Sequence, residues 1–213
     1  MTNAAIIEHE TYYEIDGCHY PRFHHIAASL GIIDTTWFTD AGRNRGELIA
    51  QLTALDDRGE LTDDKLNYVR ERWTSVAGQE AEALDGYLIA WRAFRMRHYD
   101  GFAYALVEQV FINTSLGYAT RPDRIYVAAA GQSEVCEIKL GSLQPWYELQ
   151  VAAQACAWKA LDPEQLNRRV VLLSPDGIAR VKTYDAANGD RWWQSVISAW
   201  NFGLKAGIYK IGD

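Results

Sequence analysis

Glu137 and Lys139 stand two residues apart in a run, 134–140, that is rich in strand-forming side chains. On a strand these two project from one face, while Ile138 between them points to the other. Asp123 lies in an earlier strand-like run, 118–128. With the turn between the runs centred near Ala130, antiparallel pairing sets residues whose numbers add to about 260 opposite one another, so Asp123 faces Glu137. Glu108, on a strand expected over 103–112, reaches the same end of the sheet. Three carboxylates and one ammonium are thereby expected at one corner.

Carboxylates gathered in this way repel, and a sheet gains nothing by clustering them unless a cation neutralises them. Mg²⁺ or Mn²⁺ suits the purpose, since Mg²⁺ is hard, prefers oxygen and is commonly held by one or two carboxylates with waters and a substrate phosphate. The Lys139 ammonium then has two uses: orienting or helping to deprotonate an attacking water, and stabilising charge that develops on phosphorus. The chemistry expected of the set is in-line hydrolysis, with a second ion able to clamp the entering and leaving oxygens. An acidic-x-Lys triplet alone is common by chance, so the weight lies on the whole set.

The elements that must position these residues read as follows. Residues 11–20 alternate around Asp16-Gly17, a two-residue hairpin signal. From 23 to about 97 apolar residues recur three and four apart, as in Leu48, Leu52 and Leu55, then Leu84, Leu88, Trp91 and Phe94; the charged stretch 56–64 divides the helices. After Asp100-Gly101 the runs 103–112, 118–128 and 134–140 predict a three-strand antiparallel meander. Pro145 opens an Ala-rich helix to about Leu161, which carries Gln150 and Gln154 on one face. A second hairpin, 169–174 with 179–184, turns at Pro175-Asp176-Gly177. Trp192, Trp193, Val196, Ile197 and Trp200 define a final amphipathic helix that seals the sheet.

At 213 residues the chain suits one domain, 1–213, in which a helical region over 1–100 forms part of a cleft and 101–213 supplies the sheet core. Hydrophobic residues make up 48% and charged residues 23%, which disfavours disorder. The start shows no signal-peptide pattern, and nowhere do about 18 apolar residues follow one another, so a cytoplasmic protein without a membrane span is expected. Cys18, Cys136 and Cys156 are odd in number and widely spaced, which argues against a disulfide framework or a zinc site. A net charge of −7 counts against a protein that coats nucleic acid by bulk attraction but leaves room for a local basic groove. Arg92, Arg95, Arg97 and His98 end one helix, with Lys65, Arg70 and Arg72 on the helix before. They either complement helix dipoles or, with Arg43 and Arg45, serve a DNA backbone.

The segments Gly117-Tyr118-Ala119-Thr120-Arg121-Pro122-Asp123-Arg124, Cys136-Glu137-Ile138-Lys139-Leu140-Gly141, Trp146, and Leu149-Gln150-Val151-Ala152-Ala153-Gln154 resemble the PD-(D/E)xK nucleases, in particular the RecB-like, phage-type exonuclease branch. The likeness extends upstream through Tyr20-Pro21, the stretch Asp34-Thr35-Thr36-Trp37-Phe38, Arg45-Gly46 and Val107-Glu108-Gln109. It implies an α/β restriction-endonuclease-like core with a mixed central sheet flanked by helices and a helical N-terminal region. It also implies Mg²⁺- or Mn²⁺-dependent hydrolysis of DNA, more exonucleolytic than not. Asp123, Glu137, Glu108 and the main-chain carbonyl of Ile138 would hold metal. Lys139 would be the base or water-orienting group, and Gln150 would contact the site or the DNA. Two departures stand out: Ala50 or a neighbour falls where many relatives carry a His, leaving Glu108 alone, His24 or His25 as alternatives, and Gln154 replaces a Tyr. A nuclease-fold module that binds DNA or protein without cutting is the rival reading, and association with itself or with a recombination partner is compatible with either.

Overall fold

The computed structural model describes residues 5–37, 39–77, 81–99, 102–128, 132–159 and 166–211. The Asp100-Gly101 break, the turn near Ala130, the helix end near Leu161 and Phe38 of the upstream likeness lie outside these residues. Strands β1 (Ile6–Glu8), β2 (Tyr12–Ile15) and β3 (Cys18–Pro21) form a small antiparallel sheet. The predicted hairpin turns where Asp16 and Gly17 both take positive φ, 51° and 76°, as a two-residue turn of this hand requires. The outer strand β1 carries no alternation strong enough to have been read from sequence.

Helix α1 (Phe23–Ser29) follows, then α2 (Asp40–Asp57), α3 (Asp63–Arg72) and α4 (Ala81–His98). Two of these starts are capped by threonine: Thr39 accepts from the Gly42 amide at 3.1 Å and Thr62 from that of Lys65 at 3.4 Å. Their apolar faces meet in one core layer, where Leu48, Leu52, Trp73, Leu84, Trp91 and Phe94 pack against Tyr126, Cys136 and Ile138 of the sheet. The basic side chains of this region are largely committed internally. Arg92 and Arg95 pair with Asp56, Arg95 also with Asp57, and Arg70 with Asp85.

The central sheet has the order β10-β9-β8-β7-β4, built from β4 (Phe102–Val107), β7 (Arg124–Ala128), β8 (Ser133–Leu140), β9 (Leu166–Leu173) and β10 (Ala179–Tyr184). β4, β7 and β8 are antiparallel, β8 and β9 parallel, and β9 and β10 antiparallel, so the sheet is mixed. The β7–β8 register is the expected one, with Arg124 opposite Cys136 and Tyr126 opposite Glu134. The meander needs one correction. Its first two runs do not continue as single strands: β5 (Phe111–Asn113) and β6 (Tyr118–Thr120) leave the main sheet and pair with each other. The chain breaks at Glu108, whose φ of 54° no strand accommodates, and again over residues 121–123, where Pro122 cannot donate to a ladder.

Helix α5 (Tyr147–Lys159) crosses from β8 to β9, and α6 (Ala186–Lys205), capped by Asp185 on the Ala187 amide at 2.9 Å, lies beside it. Trp193, Ile197 and Trp200 are buried at helical spacing in the second core layer, and burying Ile197 alone contributes roughly 2 kcal/mol. Trp192 of the same cluster is 47% exposed. Cys136 is buried, Cys156 half-buried and Cys18 exposed, and none of the three is joined in a disulfide. Among the described residues no helix is long and apolar enough to cross a membrane.

Candidate active site

A cavity of about 340 Å³ opens where β7 and β8 diverge. Arg22, Phe23 and His24 at the start of α1, Gly46, Glu47 and Ala50 of α2, Glu108, Arg121 and Asp123 from the interrupted strands, residues 137–140 of β8, and Gln150 and Gln154 of α5 all line it. Ladder pairing stops at Arg124 and Cys136, and the next residues on each strand take over the contacts. The Ile138 amide donates to Asp123 Oδ2 at 2.6 Å, and the Asp123 amide approaches Glu137 Oε2 at 3.5 Å. Because the N–H and C=O of one strand residue point to the same side, the Ile138 carbonyl opens onto this gap as well. The Glu108 amide donates to the Asp123 carbonyl at 3.1 Å, bringing the third acidic residue to the same end.

Glu137 is 3% exposed and is held by three donors. Lys139 Nζ and Gln150 Nε2 reach Oε1 at 2.7 and 2.5 Å, and Gln154 Nε2 reaches Oε2 at 2.7 Å. The four-residue spacing of the two glutamines stacks them on one face of α5, so both address the same carboxylate. Their amide oxygens are buried without a hydrogen-bond partner among the described residues, and so is Glu108 Oε1. Lys139 also lies over the rings of Trp146 and Tyr147, 5.7 and 5.3 Å from their centroids.

The electrostatics match this crowding. Burial, followed by the neighbouring charges of Glu137 and Glu108, holds the Asp123 carboxyl well above the ordinary carboxylate range. Burial raises Glu108 too, against the pull of Arg121 and Arg124. Burial acts to lower Lys139, but Glu137 and Asp123 outweigh it and hold the ammonium above its usual value.

Arg124, which the sequence reading passed over, is fully buried behind Asp123. It pairs with Asp57 of α2, donates to the Asp123 carbonyl at 2.5 Å and to Thr53 Oγ1 at 3.0 Å, and lies 3.8 Å from Glu108 Oε1. The helical layer is thereby tied directly to the strand that carries Asp123.

Of the two histidines, His24 reaches the cavity, while His25 turns away to the Lys210 carbonyl at 3.3 Å and the Trp200 ring. His24 keeps an exposed surface, and desolvation by the cleft around it, then the Lys139 ammonium, lower it to about 4. Ala50 does line the cavity, and Glu47, one turn earlier on α2, lines it with an exposed carboxylate that sequence spacing did not single out.

The donor set fits a hard divalent cation: two carboxylates at the strand ends, and buried oxygens that lack a proton to accept. The fit is to a small ligand set completed by waters and a phosphate. Among the described residues no three His, Cys, Asp or Glu side chains stand close enough to hold one ion, so three carboxylates do not converge at ligating distance. Glu108 is spread toward Arg121, 3.3 Å from its Nε.

The antiparallel β4–β7–β8 portion and the crossover helix α5 into a parallel strand make a mixed α/β fold, with acidic residues where β7 and β8 diverge. No family model and no curated relative matches the sequence. Solved structures similar to this chain include a protein from Eubacterium rectale named "Putative exonuclease", at 11% identity over 88% of this chain and 75% of that one, with a TM-score of 0.47. An alkaline exonuclease from Laribacter hongkongensis, LHK-Exo, aligns at 16% identity over 76% of this chain and 93% of that one, with a TM-score of 0.41. A protein named SSO0001 aligns at 17% identity over 72% and 85%, with a TM-score of 0.32. At these scores the likenesses carry no functional argument, and function must be read from this chain's own residues.

Proposed function

We propose that the protein is a metal-dependent DNA nuclease, acting more as an exonuclease than an endonuclease, with Asp123, Glu137 and Lys139 at its centre. The observation that carries this reading is the meeting of Asp123 and Glu137 at the end of β7 and β8, with the Lys139 ammonium 2.7 Å from Glu137, on the wall of an open cavity. DNA as substrate rests on the sequence resemblance. Asp123 and Glu137, with the Ile138 carbonyl, would hold Mg²⁺ or Mn²⁺, which when bound supplies positive charge against the phosphate oxygens.

The chain's own contributions are positional and electrostatic. Gln150 and Gln154 fix both oxygens of Glu137, so its orientation is set before substrate arrives. Lys139 is held in place by Glu137 and the rings of Trp146 and Tyr147, where its ammonium can orient a water and oppose charge growing on the phosphate. Arg124 holds the backbone of Asp123 from behind.

A second reading, a nuclease-fold module that binds DNA or protein without cutting, is favoured by one feature: both oxygens of Glu137 are already engaged by side chains. Labelled single- and double-stranded DNA incubated with Mg²⁺, Mn²⁺ or EDTA separates the two. The nuclease reading predicts metal-dependent products, lost by about 10²-fold or more in Glu137→Gln and Lys139→Ala with folding retained. Wild-type rates in those variants would remove the assigned roles. Binding without products would favour the module.

A further inference from the structure

Beside the carboxylates the same cavity has a second corner, formed by Tyr13, Arg22 and Arg121. Glu8, at the end of the outer strand β1, lies across it. Its Oε1 is 2.9 Å from Arg22 Nη1 and its Oε2 is 2.7 Å from Arg121 Nη1. One carboxylate thus joins two guanidiniums, one oxygen to each, an arrangement that two oxygens of a phosphate reproduce with more charge.

Both cations are fixed independently of Glu8. Arg22 donates to the His9 carbonyl at 3.1 Å and lies over the Tyr13 ring at 5.0 Å, and Arg121 Nε is 3.3 Å from Glu108. Tyr13 is 1% exposed, and its hydroxyl is buried with no hydrogen-bond partner among the described residues. A buried hydroxyl left without an acceptor is costly, and burial keeps this phenol protonated and so available to donate. Glu8 itself is 40% exposed on a three-residue edge strand, where an ion pair adds little stability and is readily exchanged.

We propose that Arg22, Arg121 and Tyr13 form a phosphate subsite that Glu8 occupies in the free protein, and that a phosphate of bound DNA displaces Glu8. This rests on the nuclease reading for its ligand, but it concerns binding and can be tested without catalysis. Glu8 then acts as an internal competitor, holding the two arginines apart from solvent anions until a nucleic acid enters.

The test is fluorescence anisotropy of a labelled DNA duplex with the full chain in EDTA, run with and without a terminal phosphate and with inorganic phosphate as competitor. Glu8→Gln is expected to tighten binding by about three- to tenfold. Arg121→Gln is expected to weaken it by about tenfold and to reduce the salt slope by about one. In the double variant the gain from Glu8→Gln should shrink, because the competed cation is gone. A gain confined to the phosphorylated end assigns the subsite to a terminal phosphate, and an equal gain on both duplexes assigns it to a backbone phosphate. Competition by inorganic phosphate alone, without a gain on either duplex, overturns the DNA assignment. Should Glu8→Gln fail to fold, Glu8→Asp, too short to reach both guanidiniums, is read in the same way. Unchanged or weaker binding in a folded Glu8 variant, or no DNA binding by any variant, overturns the proposal. A gain in binding by a protein that never yields metal-dependent products would overturn the nuclease reading and leave the subsite standing.

Discussion

Replacing Arg124 with Met keeps an apolar stem but removes the guanidinium, which lies over the Trp91 ring and joins the helical layer to the site strand. Arg124 is wholly buried and Asp57 has only 3% of its side chain exposed, so the ion pair between them is not screened by solvent. Removing one member of such a pair typically costs about 3–5 kcal/mol, because the other charge stays buried. Asp57 keeps Arg95 and the Trp91 indole N–H at 3.0 Å, which places the loss near the lower end, about 3 kcal/mol. In a chain of this length each kcal/mol moves the melting temperature by about 2–4 °C, so Arg124→Met should melt about 6–12 °C below wild type. Arg70→Met is the control: the Arg70–Asp85 pair is 35% and 39% exposed, and its loss should cost about 1 kcal/mol or less. Thermal unfolding followed by circular dichroism, with urea midpoints as a second measure, decides between them. A melting temperature for Arg124→Met within about 2 °C of wild type, or no lower than that of Arg70→Met, would refute the claim that this arginine braces the site.

Two further outcomes follow from the packing and the charges. Gly86→Ala in α4 should destabilise by about 2 kcal/mol although alanine is the better helix former, because a Cβ there would overlap the Pro175 carbonyl in the β9–β10 turn; a higher melting temperature would show that this close approach is wrong. His24 should titrate in NMR with a midpoint near 4, and Lys139→Met should raise that midpoint; an unchanged midpoint in the variant would exclude Lys139 as a cause. The sign for stability follows from the unfolded imidazole taking its proton near pH 6.5. The contribution of His24 is complete above that pH and is lost as pH falls toward about 4, with the open cavity screening its size.

Local alternation and turn chemistry made much of the site legible in the sequence. Two-residue periodicity put Glu137 and Lys139 on one face, and the β7–β8 register followed from the spacing of two strand-like runs, which is why Asp123 and Glu137 were expected to meet. The Gln150–Gln154 spacing announced a shared helical face, but only the fold reveals that both amides converge on Glu137. Less legible was whatever depends on a backbone departing from regularity. Glu108 sits in a left-handed conformation that ends a strand, and no pattern of residue types around it marks that break. The β5–β6 pair and β1 are three-residue strands, too short for periodicity to register. Contacts between segments far apart in sequence were likewise hidden: Arg124 with Asp57, Glu8 with Arg121, and the approach of Glu47 to the cavity.

Anomalous scattering from crystals soaked in Mn²⁺ reports where the ion sits among the Asp123 and Glu137 carboxylates without reference to turnover. A peak is expected between Asp123 and Glu137 in the wild-type protein, and its loss is expected in Asp123→Asn. Well-ordered crystals with no peak there, or a peak that persists in the variant, would contradict the proposed metal site.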